Sequence, residues 1–262
     1  LYSNLLTVCP SVLHGCFDSA CYPNPCYNNG NCSVGGASSS ATCNCDMTTY
    51  TGQFCRDDSL FHFFGGQSKK CGLIKYTLVP AAINQESDRL AFGFTTNDLE
   101  GLLVKIESDT GDQFIEIRLK DGQLVLAINL NGIVETRNYQ TGTGERFDDN
   151  RYHVVQLRRD RNDVQFRVDN FEQLEFSLKG QSGVFRNQLY IYAGATVDSK
   201  GTLVDCFYGI LSGMVFNGHR ALDNGISSGD VIISSTKYID VDITNRTHTI
   251  TIMADGSCPL GY

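Results

Sequence analysis

The stretch FIEIRLKDGQLVLAI, residues 114–128, decides the fold class of this chain. Ile115, Ile117 and Leu119 alternate with charged residues, which is the period of a strand with one buried and one solvent-facing side. The central Asp121-Gly122 pair is typical of a two-residue hairpin turn. The denser apolar run after it fits a strand that is covered on both faces or faces a second sheet. The stretch therefore predicts a hairpin in a β protein.

The same signals recur on both sides of this hairpin. Residues 163–169 alternate apolar and polar side chains, and residues 102–106 and 189–193 form further dense apolar runs. Asn131-Gly132 and Asn217-Gly218 mark tight turns. No long stretch has convincing helical periodicity. Many short strands joined by short turns predict an all-β sandwich.

The composition limits the classes of partner. The chain has 262 residues, of which 41% are hydrophobic and 19% charged, which is a globular balance with room for one ordinary domain beside a small module. The formal net charge of −8 argues against nucleic acid and against an anionic membrane as partners. No apolar run is long enough to span a bilayer, so we expect no membrane insertion of this segment.

The densest basic cluster consists of Arg158, Arg159 and Arg161. One interpretation makes it a solvated strand end and turn, and the other makes it a small glycosaminoglycan contact. The sequence leaves both interpretations open.

Six of the eleven cysteines lie between Cys21 and Cys55, in the spacing Cys-x4-Cys-x5-Cys-x10-Cys-x-Cys-x9-Cys. So short a segment has too few apolar residues for a core, so covalent bridges must replace burial. The spacing lacks the paired ligands of a zinc site. Six cysteines allow fifteen connectivities, and spacing alone does not choose among them. Disulfides indicate an extracellular or secretory compartment, and two glycosylation sequons, at Asn31 and Asn245, agree.

This spacing, with the single-residue gap between Cys43 and Cys45 and the ending at residues 51–55, resembles an epidermal-growth-factor-like (EGF) module. The resemblance implies three disulfide pairs, Cys21–Cys32, Cys26–Cys43 and Cys45–Cys55.

The segments that follow resemble, in their order, a laminin-G-like (LNS) jelly-roll β-sandwich. The ordered series comprises residues 88–96, 101–104, 114–117, 121–124, 151–155, 189–194 and 207–218. The junction at residues 45–57 is more specifically similar to the third EGF-like repeat running into the last LNS domain of the α-neurexin family, in a divergent member or a neurexin-like relative. We therefore expect the tail of a preceding domain or a linker over residues 1–16, the EGF-like module over 17–57, and the LNS domain with a C-terminal tail over 58–262.

The resemblance also implies a calcium site. In many LNS domains Ca²⁺ lies at the sandwich rim, held by an aspartate, backbone carbonyls and an Asn or Asp side chain, because this hard ion prefers oxygen ligands. Asp112 matches the first ligand, Leu130 would offer a carbonyl, and Asn187 is the nearest polar candidate for the remaining side chain. The alternative is that Asp112 is simply a turn residue after Gly111.

Five cysteines remain outside the EGF-like module: Cys9, Cys16, Cys71, Cys206 and Cys258. Because five is odd, at least one is free or bonded outside this sequence. We expect Cys206–Cys258, since LNS domains commonly carry a bridge late in the chain. Cys71–Cys206 is the competing pair.

Nothing in the sequence indicates catalysis. None of the five histidines lies in a metalloprotease motif or beside a nucleophile elbow, and we expect His153 to be a structural imidazole within a strand. We therefore predict that the chain is not an enzyme.

The resemblance implies the ectodomain of a cell-surface, single-pass membrane protein. We expect an adhesion and recognition module that binds protein ligands through five LNS rim loops, at residues 97–101, 107–113, 129–133, 180–187 and 195–204. The expected partners are neuroligin-like, leucine-rich-repeat and cerebellin-like extracellular proteins. The alternative is a glycan-binding LNS domain of a contactin-associated or matrix protein, which would recognise dystroglycan or heparan sulfate through Ca²⁺ or the basic cluster.

Overall fold

A computed structural model describes residues 19–35, 40–65, 70–140, 144, 146–180, 182–224, 231–237, 239–242 and 249–252. Within these ranges no helix is long and apolar enough to cross a membrane. Four predicted features lie outside them, namely Cys9, Cys16, Cys258 and the sequon at Asn245.

The described chain is built almost entirely of short strands. The first half contains β1 (Asn31–Val34), β2 (Ala41–Asn44), β3 (Tyr50–Thr51), β4 (Asp57–Asp58), β5 (Phe61–Phe64), β6 (Leu73–Gln85), β7 (Ser87–Thr95), β8 (Gly101–Ser108), β9 (Phe114–Lys120), β10 (Gln123–Asn129) and β11 (Val134–Asn138). The second half contains β12 (His153–Asp160), β13 (Asp163–Val168), β14 (Leu174–Ser177), β15 (Phe185–Ala193), β16 (Thr196–Val197), β17 (Leu203–Val204), β18 (Gly209–Phe216), β19 (His219–Arg220), β20 (Val231–Lys237), β21 (Ile239–Asp242) and β22 (Thr249–Ile252). Two single-turn helices, a 3-10 turn at Ser19–Cys21 and α1 at Ala221–Asn224, complete the elements.

Two large sheets form the jelly-roll sandwich that the sequence predicts. One has the strand order β11-β10-β9-β8-β15-β6-β20, and the other has the order β14-β13-β12-β7-β18-β5-β21-β22, with β19 paired to β18. The apolar side chains that alternate along these strands meet in one core between the sheets, which includes Phe92, Ile117, Leu126, Phe166 and Ile191. The prediction of an all-β sandwich is confirmed.

The hairpin predicted at residues 114–128 forms from β9 and β10, which pair in register from Lys120 opposite Gln123. Asp121 and Gly122 both have positive φ, 52° and 74°, as a tight turn of the primed type requires. A Cβ on Gly122 would lie 2.3 Å from a carboxylate oxygen of Asp148, so a larger residue here would also have to push that side chain aside.

The N-terminal module is held by the three disulfides that the EGF resemblance implies: Cys21–Cys32, Cys26–Cys43 and Cys45–Cys55. Its β1–β2 hairpin places Cys32 opposite Cys43, so two of the bridges leave from neighbouring positions. Gly30 packs directly against the Cys26 and Cys55 side chains, which shows that the bridges themselves form the centre of this module.

The expected Cys206–Cys258 pair is wrong, because Cys206 is bonded to Cys71. The topology explains this pairing. Cys71 lies just before β6, and Cys206 lies just before β18, at the end of the sandwich where β6 begins and β15 ends, with Ile74 opposite Ala193. The bridge therefore joins chain segments that the sandwich has already brought together across 135 residues.

One loop of the EGF-like module packs on the outer face of the larger sheet. Thr49 is buried there, and its carbonyl accepts a 2.8 Å hydrogen bond from the Ser59 hydroxyl. Gln156 of β12 donates to the Met47 carbonyl. Gly213 of β18 lies so close beneath the loop that a Cβ would come within 2.3 Å of the Thr49 oxygen. The module is therefore seated on the sandwich.

Candidate functional site

The structure divides the five predicted rim loops between two opposite ends of the sandwich. Loops 107–113, 129–133 and 180–187 meet at one end, which we call the Asp112 end. Loops 97–101 and 195–204 lie at the other, where the Leu102 N–H donates to the Asp205 carbonyl. Since β8 runs between them with eight residues, the two ends are about 25 Å apart. The five loops cannot form one surface.

Asp112 lies exposed in the turn between β8 and β9. Its Oδ1 accepts hydrogen bonds from the hydroxyls of Thr110 and of Ser108, the latter at 2.9 Å. The hydrogen bond from Thr110, followed by that from Ser108, lowers the pKa of the Asp112 carboxyl. The turn thus keeps this carboxylate ionised with donors from its own residues.

The Leu130 carbonyl lies next to Asp112 along the rim but is already occupied. It accepts hydrogen bonds from the Gln113 side-chain amide and, at 3.3 Å, from the Ser182 hydroxyl. The single proton of the Ser182 hydroxyl has a nearer acceptor in the Val184 carbonyl, at 3.0 Å, so the Gln113 amide is the main donor to Leu130.

Asn187 is exposed and has a positive φ of 48°. Its side-chain amide donates to the Asp109 carboxylate at 3.4 Å, and its backbone carbonyl accepts the Asp109 N–H at 3.0 Å. It therefore braces the β8–β9 turn through Asp109 rather than through Asp112.

These three residues do not fit a Ca²⁺ ion in this arrangement. Asp112 Oδ1 and the Leu130 carbonyl already accept hydrogen bonds from protein donors, and the Asn187 side-chain amide is directed to Asp109, whereas Ca²⁺ takes six to eight oxygen ligands. No three His, Cys, Asp or Glu side chains cluster for a metal anywhere among the described residues.

Gln113 is the residue that the sequence-based prediction missed at this end. It is buried, whereas its neighbour Asp112 is exposed. A signal was present, since Gln113 has the same parity as the inward-facing Ile115 and Ile117 of β9 and so continues their series towards the rim.

The basic cluster does not form one surface. Arg158 and Arg161 are exposed, and Arg161 pairs with Glu86 at 3.1 Å. Arg159 is fully buried and forms an ion pair with Asp88 at 2.6 Å, so it is not available to a glycan.

The Asp88–Arg159 pair is part of a buried polar network below the Asp112 end. The Arg159 guanidinium also donates to the carbonyls of Gln85, Arg161 and Gly183. The second carboxylate oxygen of Asp88 accepts hydrogen bonds from Gln188 and Asn217. Five chain segments are thereby tied together beneath the rim.

His153 lies within β12, as predicted, and packs against Phe94 and Phe147. Its two ring nitrogens lie 2.8 Å from the Asp169 carboxylate and 2.9 Å from the Asp149 carboxylate. Burial opposes the protonated imidazole, but these hydrogen bonds outweigh burial and raise its pKa. The arrangement links the imidazole to two carboxylates and favours its protonated form.

Comparison with known proteins identifies this sandwich. Residues 94–219 match the family model described as "Laminin G domain". Domains LG4-5 of the mouse laminin alpha1 chain superpose with a TM-score of 0.53 at 16% identity, covering 66% of this chain and 46% of that one, which shows a shared fold. The chain therefore contains a laminin G domain.

The sequence relatives are neurexins. Over 217 residues, or 81% of its length, the chain is 30% identical to Neurexin 1 of Drosophila melanogaster. Over 160 residues, or 59% of its length, it is 32% identical to Neurexin-3-beta of Homo sapiens. The sandwich is thus a neurexin-like LNS domain, and its disulfides agree with an extracellular domain.

The chain spans only a small part of these relatives. It covers 11% of the Drosophila protein and 24% of the human one. What the whole relatives do is therefore carried to this chain only as a proposal.

Proposed function

We propose that this chain is a non-enzymatic adhesion and recognition module in the ectodomain of a neurexin-like, single-pass cell-surface receptor, and that it binds protein ligands at the Asp112 end. The observation that carries the proposal is a pair of exposed apolar side chains on a braced rim. Ile83 and Val134 are 69% and 53% exposed at the two sides of this end. A rigid scaffold that presents such loops is the usual basis of recognition by a sandwich.

The dimensions of this end suit a protein partner. In the smaller sheet β11, with Val134, and β6, with Ile83, are five strands apart. At about 4.8 Å per strand the rim is roughly 24 Å long. Protein interfaces combine such flat dimensions with apolar anchors and a polar surround, here the exposed Asp109, Asp112 and Arg186.

Neuroligin-like, leucine-rich-repeat and cerebellin-like extracellular proteins are the partner classes that we propose. The basic route to dystroglycan or heparan sulfate is weaker, because burial of Arg159 leaves only Arg158 and Arg161 at the surface.

Interferometry tests the proposal. The immobilised fragment is presented with one ectodomain of each partner class, and any binding is compared in two double variants. We expect Ile83→Glu with Val134→Glu to weaken binding at least about tenfold, as the loss of interface anchors does. The control, Leu99→Glu with Val197→Glu, places the same charges on exposed residues of the opposite end and should leave binding unchanged. Loss of binding in the control alone, or no binding to any class, would contradict the proposal.

A further inference from the structure

The side chain of Gln113 joins three loops of the Asp112 end. It is 5% exposed and lies between the turn after β10 and the first residues of β15. Its Nε2 donates to the Leu130 carbonyl, and its Oε1 accepts a 2.7 Å hydrogen bond from the Arg186 N–H. One amide thus connects its own β8–β9 turn to two neighbouring loops.

Carbonyl and carboxylate oxygens converge at this rim, and their negative charges need positively charged partners. In a calcium-bound rim the ion supplies the positive charge to carbonyl and carboxylate oxygens. In this chain N–H and O–H groups supply the positive charge next to these oxygens instead. The Leu130 carbonyl accepts a hydrogen bond from the Gln113 amide, and Asp112 accepts hydrogen bonds from two hydroxyls of its own turn.

The backbone next to Asp112 and Leu130 also forms hydrogen bonds with a side-chain amide. The Asn129 amide donates to the Asp112 carbonyl at 2.9 Å, and its Oδ1 accepts the N–H groups of Asn131 and Gly132. The turn after β10 is therefore shaped by side-chain amides.

We infer that the amide nitrogen of Gln113 takes the structural place of the rim Ca²⁺ in this chain, so that the loops of the Asp112 end are held without the ion. Ca²⁺ at the Leu130 carbonyl would compete with the Gln113 amide for this oxygen. The buried Gln113 amide would then lose its acceptor, which is unfavourable for a polar group away from water. The inference does not depend on the proposed partner surface, because it concerns ion binding by the chain alone.

Thermal unfolding of the unmodified chain is the first test. We expect the Tm in about 5 mM CaCl2 and in about 5 mM EDTA to agree within about 1 °C, and calorimetric titration with CaCl2 to show no saturable heat. An ion at a hundredfold excess over its Kd would raise the Tm of a domain of this size by roughly 5 °C or more. Saturable Ca²⁺ binding that is lost in Asp112→Ala would overturn the inference.

A charge substitution at Gln113 is the second test. Gln113→Glu keeps the size of the side chain but turns a carboxylate oxygen towards the Leu130 carbonyl, where a cation is then needed between them. We expect this variant to gain a Ca²⁺-dependent rise in Tm of several degrees.

Gln140→Glu is the matched control, because it makes the same charge change at an exposed residue and should stay insensitive to Ca²⁺. A folded Gln113→Glu that is also insensitive would overturn the assignment of Gln113. If this variant does not fold at either calcium concentration, titration of the unmodified chain decides alone.

Discussion

Arg159 has the most demanding environment of any charged residue described in this chain. Its guanidinium is removed from water together with the carboxylate of Asp88, and burial of two charges is costly unless they are paired and fully hydrogen-bonded. Here every partner is present, including three carbonyls on the guanidinium and two amides on the carboxylate. The pair therefore depends on all five segments being in place.

We predict that Arg159→Ala lowers the free energy of unfolding by about 3–5 kcal/mol, because Asp88 would remain buried with an uncompensated charge. Arg158→Ala, at the exposed neighbouring position, should change it by less than about 0.5 kcal/mol. Urea unfolding followed by circular dichroism measures both. Equal effects of the two substitutions would show that Arg159 is not buried as described.

His153 makes part of the stability depend on pH. Its pKa is raised in the folded chain by the hydrogen bonds to Asp169 and Asp149, against the effect of burial. A raised folded-state pKa contributes stability that is fully present below the unfolded pKa, near 6.5, and is lost as pH rises through the folded pKa. His153 therefore stabilises the folded chain at acidic pH, and this contribution to stability decreases as the pH rises.

We predict that the stability difference between the unmodified chain and His153→Gln is larger at about pH 5.5 than at about pH 9. Comparing the two proteins cancels the opposite contribution of His62, whose pKa burial lowers to about 4 and which therefore destabilises the fold below about pH 6.5. Denaturant unfolding at several pH values measures the difference. A difference that grows with pH would contradict the prediction.

At the scale of elements, alternation along a strand was the most informative signal in the sequence. Alternation correctly indicated β9 and β13, and continued one step further it would have placed Gln113 inside. The same parity places Arg159 with the inward-facing Leu157, and Asp88 with Leu90. Periodicity shows which face of a strand a polar residue occupies. It does not show whether a buried partner for that residue lies on the next strand.

Strand β6 contains Pro80, and this residue argues against a strand in the sequence because a proline cannot donate to a ladder. The structure accommodates Pro80 where pairing is incomplete. The register of β6 with β15 shifts between Gln188 and Tyr190, and its pairing with β20 ends at Leu78. Whether β6 can accommodate Pro80 depends on its pairing with β15 and β20, which the sequence does not show.

At the scale of the whole molecule, the EGF-like module and the sandwich form one packed unit. Two glycines leave room for neighbouring atoms at the junction. Gly93 makes space for the ring of Tyr152, and Gly213 makes space for the backbone at Thr49. Burial raises the pKa of Tyr152, whose hydroxyl lies 2.8 Å from that of Ser212. The module is held by contacts, not only by the chain that connects it.

We predict that Gly213→Ala displaces the module, because the new methyl group would meet the Thr49 carbonyl. Hydrogen exchange at residues 47–50 should accelerate at least about tenfold, as expected when local opening becomes easier by more than about 1.4 kcal/mol. The control is Gly201→Ala, which has a positive φ of 80° and no heavy atom within 4 Å of the new Cβ. Gly201→Ala therefore has the unfavourable backbone conformation but no steric clash. Similar hydrogen exchange at residues 47–50 in both variants would contradict the prediction.

The sequence by itself determined the all-β class, the hairpin at Asp121-Gly122 and the disulfide-based character of the first module, because these follow from local periodicity, turn chemistry and cysteine spacing. The tertiary structure alone decided the bridge from Cys71 to Cys206 and the burial of Arg159 and Gln113. Each of these depends on which strands become neighbours across long separations. Pairing, burial and hydrogen-bond satisfaction are properties of that arrangement, since a side chain acquires its partner only when the sheets have assembled.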